Sequence, residues 1–264
     1  MSETQNTRSA DGTTIAYQAY GEGPAVVFVG GATQRKEDWT ELAQALCEAG
    51  FTAVTYDRRG RGDSGDTTPY AVEREVEDLA AVIAANGGTA GVHGQSSGGA
   101  LADRATAAGL PITSLSTFET PYRVGEGPKP PADYLEHLQD LYDADQPAAM
   151  LEYFMTAGVG QPQEAVDQMK QLPFWEALVP LGRTVLYDGY CLGSSHAPLP
   201  TDLLATITVP VLTLGSTGSP DWLRAGAEAA AAAVPDGRFV VLEGEFHSAP
   251  IPVLAPVLAD HHRR

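Results

Sequence analysis

Cysteine is nearly absent: Cys47 and Cys191 are the only two in 264 residues. Two thiols cannot build a disulfide framework, and theirs is not the CxxC spacing of a metal site. No run of about twenty apolar residues occurs, so nothing reads as a bilayer-spanning helix. The opening "MSETQNTRSADGTT" has no basic stretch followed by an apolar one, so no secretory leader is expected. Positive charge is also scarce: 16 Lys and Arg stand against 34 Asp and Glu, a formal net charge of −18. That field repels a phosphate backbone and an anionic surface, which argues against nucleic-acid and membrane partners. The expected setting is a reducing cytoplasm, with a small apolar molecule as partner and no cofactor; homo-oligomerisation stays open. What remains is a chain with 43% hydrophobic and 19% charged residues, a composition that supports a sizeable core and argues against disorder.

The order of elements points to an α/β fold, a mostly parallel central sheet flanked by helices. "TTIAYQAY" follows the turn signal Asp11-Gly12 and reads as a strand. "AVVFVGG" (25–31) is an unbroken apolar run closed by glycine, as expected of a strand covered on both faces. Helical spacing then alternates with strands: helix 38–50, strand 51–57, helix 73–88, strand 89–94, helix 96–109, strand 112–119. The rhythm resumes with strand 209–215, helix 221–235, strand 238–244 and a last helix from about 252. Such alternation implies right-handed crossovers and a parallel sheet. The expected division is a core over 1–120 and 194–264, interrupted by a helical cap over 121–193.

Within "GVHGQSSGGAL", Gly94-Gln95-Ser96-Ser97-Gly98 matches G-x-S-x-G with a strand before it and a helix after it. Only Ser96 has glycine at both −2 and +2. A serine on so tight a turn needs neighbours without a Cβ, and it sits where a helix N-terminus favours developing negative charge. The N–H of Ser97 is placed to help hold an oxyanion.

With "VFVGGATQ" at the position of an oxyanion loop and "YDRRGRGDSGD" matching D-x-R-G-x-G-x-S, the chain resembles the α/β-hydrolase superfamily over nearly its whole length. The resemblance implies an α/β-hydrolase fold and a Ser-His-acid triad. It also implies a second backbone donor at Ala32. The family's usual His-Gly pair in that loop is Gly30-Gly31 here, so only the backbone donor carries over. In this family Asp57, Arg58 and Arg59 belong to a mainly structural loop.

A serine hydroxyl needs a base. Of six histidines, His261 and His262 fall in a charged tail and read as solvated, His93 lies on the elbow strand, and His137 and His196 lie in the insertion or beside it. His247 follows the last apolar strand, where the resemblance places the base. The acid is less regular. After "VLTLG" the chain reads Gly215-Ser216-Thr217-Gly218, without the expected Asp. Asp221 is the near alternative, though Ser219-Pro220-Asp221 reads as a capped helix start. Another branch of the superfamily carries the acid one strand earlier, which selects Glu119 in "FETPYR"; Asp188, or a dyad without acid, stays open.

The leading expectation is a serine hydrolase of esters, thioesters or lactones, with Ser96, His247 and Glu119 catalytic. A lyase, cyclase or acyltransferase using the same pocket is the alternative, followed by a ligand receptor with little turnover. Epoxide hydrolases and dehalogenases require Asp where Ser96 stands.

Overall fold

The computed structural model describes residues 2–125 and 129–264; Met1 and residues 126–128, which fall within the core and insertion spans read above, lie outside the described residues. Eight strands form one sheet: β1 (Gln5–Arg8), β2 (Thr14–Tyr20), β3 (Ala25–Val29), β4 (Thr52–Tyr56), β5 (Ala90–Gln95), β6 (Ile112–Phe118), β7 (Val211–Ser216) and β8 (Gly237–Leu242). Their spatial order is β1-β2-β4-β3-β5-β6-β7-β8. The pairs β1–β2 and β2–β4 are antiparallel, and every later pair is parallel.

Helices α1 (Thr40–Glu48), α2 (Val72–Ala85) and α3 (Ser97–Ala107) follow the early strands. Six short helices then lie between β6 and β7: α4 (Tyr134–Asp143), α5 (Pro147–Tyr153), α6 (Gln163–Met169), α7 (Pro173–Gly182), α8 (Val185–Cys191) and α9 (Thr201–Leu204). The chain closes with α10 (Asp221–Ala233) and α11 (Ile251–His262).

Both faces of the sheet are covered, which explains the unbroken apolar runs. One core joins Val27, Val54, Val92 and Leu115 to Leu79, Val82 and Leu101 of α2 and α3. The other joins Val26, Phe28, Leu212 and Leu214 to Leu42, Leu46 and Leu258 of α1 and α11. The helices between β6 and β7 have apolar clusters of their own, around Leu138, Met150 and Tyr187 and around Leu151, Val166 and Trp175.

One expectation is corrected here. His261 and His262 are not solvated: α11 packs against β6, burying His261 and leaving His262 half-buried. His261 Nε2 lies 2.8 Å from the Leu115 carbonyl, and the His262 ring lies between Ser114 Oγ (2.7 Å) and Ser116 Oγ (2.9 Å). Polar composition at a terminus hides such partners, because they come from a distant strand.

Candidate active site

Three turns at the carboxyl edge of the parallel strands carry the candidate residues, and each holds a non-glycine residue in the left-handed region. Ser96 has φ 55°, Glu119 47° and His247 56°. Each costs roughly 1–3 kcal/mol of backbone strain, which persists only where surrounding structure over-determines it.

Ser96 stands between β5 and α3. A Cβ on Gly94 would lie 2.6 Å from the Gly98 carbonyl oxygen, and one on Gly98 would fall on the carbonyl oxygens of Val29 and Gly30. The flanking glycines are therefore a steric requirement of the turn. Gly31 lies equally close: a Cβ there would be 2.8 Å from Ser96 Cβ, so the loop after β3 presses against the serine. Ser97 is the first residue of α3, so its N–H has no acceptor inside the helix. Ala32, Ser96, Ser97 and His247 all line one cavity of about 380 Å³.

Glu119 follows β6 and is fully buried. Its Oε2 lies 2.8 Å from His247 Nδ1 and accepts from Ser219 Oγ at 2.9 Å, while Oε1 accepts from the Ser216 N–H at 2.7 Å. A carboxylate only accepts, so the pairing puts the ring proton on Nδ1 and leaves Nε2 as the basic nitrogen. The His247 side chain is 25% exposed, enough to meet a ligand in the cavity.

Asp221 is elsewhere. Its side chain is 98% exposed and pairs with Arg224. Asp188 is also away from the imidazole, accepting from Arg58, Arg61 and the Ser97 hydroxyl. The helix start read as a Ser219 cap is corrected as well: the cap position of α10 is Pro220, with no side-chain cap bond. The Ser219 hydroxyl serves Glu119 instead, and accepts from the His247 N–H at 2.8 Å.

Beneath the cavity, Arg58 donates to the Gly30 carbonyl (3.1 Å) and Arg61 to the Gly31 carbonyl (2.5 Å), and both pair with Asp188. Arg58 also pairs with buried Glu75. The basic loop thus holds the backbone just before Ala32, a structural part with a direct bearing on where the Ala32 N–H points. Sequence reading gave no site role to Arg61, Ser216, Ser219, Gln34 or Gln95; apart from the Gly31 N–H that Gln34 meets three residues away, the partners that place them in the site lie far along the chain.

The cavity wall is mostly apolar and aromatic, with Tyr134, Phe154, Met155 and Leu192 from the segment between β6 and β7 and Trp222 and Phe246 from the core side. Phe154–Gly158 forms a single π-helical turn, a feature frequent at functional sites. Among the described residues no group of three His, Cys, Asp or Glu is placed to hold a metal ion. Nor is any described helix long and apolar enough to cross a membrane. A serine on a tight turn, an imidazole oriented by a buried carboxylate and two main-chain N–H groups are the parts that acyl transfer uses.

Comparison with known proteins agrees with this architecture. An alpha/beta hydrolase from Sphaerobacter thermophilus is 44% identical, with a TM-score of 0.89 over 97% of this chain and 99% of that one. A thermophilic esterase from Thermogutta terrifontis, at 22% identity and TM-score 0.71 over 99% and 97%, shares the fold. A non-heme haloperoxidase from Rhodococcus erythropolis is 33% identical over 93 residues, so the match spans 34% of this chain and 34% of that relative. The model of the alpha/beta hydrolase family matches residues 26–256. That span runs from β3 into α11 and takes in the turns of Ser96, Glu119 and His247, and with it the chain belongs to the alpha/beta hydrolase family.

Proposed function

We propose that the chain is a cofactor-independent serine hydrolase of esters, thioesters or lactones with a small to medium apolar acyl group. The observation that carries the reading is the buried Glu119 carboxylate on His247 Nδ1, with His247 lining the same apolar cavity as Ser96. In this reading Ser96 Oγ attacks the carbonyl carbon while His247 Nε2 takes its proton. The N–H groups of Ala32 and Ser97 hold the oxyanion. His247 then gives the proton to the leaving oxygen or sulfur, and water, deprotonated by the same nitrogen, releases the acid. Glu119 keeps the imidazole in the working tautomer and stabilises its charged form. The helices within 121–193 act as a cap that excludes water from the acyl pocket.

The missing acid after β7 favours the alternative, a non-hydrolytic lyase, cyclase or acyltransferase in the same pocket. The Glu119 carboxylate on His247 Nδ1 supports the hydrolase reading instead. A fluorophosphonate probe and p-nitrophenyl esters test the reading together. The wild type is expected to be labelled and to hydrolyse the esters, and Ser96→Ala to do neither. Labelling or turnover that persists in Ser96→Ala would overturn it.

A further inference from the structure

Two glutamines link the loop after β3, the Ser96 turn and the His247 loop head to tail. Gln34 Oε1 accepts from the Gly31 N–H at 2.6 Å, Gln34 Nε2 donates to Gln95 Oε1 at 3.2 Å, and Gln95 Nε2 donates to the His247 carbonyl at 3.1 Å. Both ends are main-chain groups of fixed polarity. The Gly31 N–H can only donate and the His247 carbonyl can only accept, so the orientation of both amides follows without ambiguity.

We propose that Gln34 and Gln95 are positioning residues for the reaction at Ser96, a two-amide relay that holds the Gly31–Ala32 loop and the His247 loop in register across the nucleophile turn. This rests on the reading of Ser96 as nucleophile and His247 as base. Gln95 immediately precedes Ser96, so the relay crosses the chain at the reacting residue. Its ends meet two loops that hold a non-glycine residue at positive φ, at His247 (φ 56°) and beside Thr33 (φ 61°), which need outside restraint to keep their conformation. One end also occupies the Gly31 N–H, leaving the N–H of Ala32 as that loop's oxyanion donor.

The relay serves a second purpose by its place in the molecule. Gln34 and Gln95 line the acyl cavity and also a separate, more polar cavity of about 450 Å³ beside Trp39, His93 and Ser248. The hydrogen-bonded amides form part of the partition between them. A glutamine amide carries an acceptor and a donor on one terminal carbon, which is what each link of the relay requires.

A double-mutant cycle with Gln34→Met, Gln95→Met and the double variant tests the relay, since methionine keeps length and removes both polar ends. Each single variant is expected to lower kcat on p-nitrophenyl butyrate about 10- to 100-fold with KM within about 2-fold, as for a small misplacement of reacting groups. The rate of fluorophosphonate labelling at Ser96 falls in parallel. The double variant is expected to be no worse than the poorer single one, because a broken chain cannot be broken twice. Single variants within about 2-fold of wild-type kcat, or losses that multiply in the double variant, overturn the relay. Gln95→Glu guards against misfolding: it still accepts from Gln34 but sets an oxygen against the His247 carbonyl. It is expected to lose kcat like Gln95→Met, and wild-type kcat in it overturns the relay. Failure of the functional reading looks different, as a wild type that is not labelled at Ser96 at all.

Discussion

At the scale of single residues, the proposed acid stands one strand earlier than the position where the resemblance to the family leads one to expect an Asp. Glu119 leaves β6, while the position after β7 that would carry an Asp is Gly218. Glu119→Gln keeps the shape and an acceptor for the Ser216 N–H but turns an amide toward His247 Nδ1. Its kcat on p-nitrophenyl esters is expected to fall about ten-thousand-fold, the size seen when a triad acid becomes an amide. Adding Gly218→Asp to that variant is expected to recover nothing, because a Cβ there would lie 2.6 Å from the Gly244 carbonyl oxygen and 2.7 Å from Glu245 Cα. Recovered turnover in the double variant would show that both loops can host the acid. Ser96 and its glycines were legible in the sequence because the motif is local, with glycine at −2 and +2, although the carbonyls that Gly98 must avoid belong to the end of β3 and the residue after it. His247 and Glu119 were legible only through the order of elements. Ser219 was misread because its local pattern, Ser-Pro-Asp, is that of a helix cap, and nothing local reveals a carboxylate 100 residues away.

At the scale of elements, the parallel strands and their helices were read nearly to the residue, since apolar runs and glycine stops mark them directly. The antiparallel edge strand β1 was not read: "QNTR" has one half-buried residue in four, so pairing with β2 creates the strand without leaving a burial pattern in the sequence. The helices between β6 and β7 add two features with consequences. The π turn at Phe154–Gly158 brings Gly158 beneath Tyr134, where a Cβ would lie 2.6 Å from the phenol oxygen. Gly158→Val is therefore expected to narrow the acyl cavity. In p-nitrophenyl ester assays kcat/KM on octanoate should fall at least about tenfold, on the scale of a few methylenes rejected from an apolar pocket, with acetate spared. Equal losses on both esters would mean that this turn does not border the acyl group. The second feature is Asp188, by which α8 is joined to Arg58, Arg61 and α3 through the Ser97 hydroxyl. Asp188→Ala leaves Arg61 buried without a carboxylate. It is expected to destabilise the fold by roughly 3–5 kcal/mol, read from the urea midpoint.

At the scale of the whole molecule, the net charge of −18 gives no hint of how the interior responds to acid, which depends on a few groups the fold buries. Burial lowers the His93 pKa to about 3, helped by the nearby His261, and holds His262 well below its ordinary value and His261 below its own. These imidazoles stay neutral in the folded chain and take up protons on unfolding. Their contribution is intact above the unfolded value of about 6.5 and is lost as pH falls below it. Asp103 opposes them. Burial raises its pKa to about 7, against the Tyr122 hydroxyl bond that lowers it. Folding therefore favours its protonated form, and the cost of holding its charge inside grows as pH rises from about 4 to 7. Asp78, whose carboxyl pKa burial also raises, opposes the histidines too, but three histidines outweigh two carboxyls, so Tm is expected to fall as pH drops from 7 to 5. Asp103→Asn keeps an acceptor for Tyr122 and removes the charge. It is expected to be more stable than the wild type at pH 8, with the advantage shrinking steadily toward pH 4. A Tm difference that stays constant across this range would mean that Asp103 is ionised inside the fold throughout, and that the polar partners around α3 satisfy it far better than its burial beside Tyr122 implies.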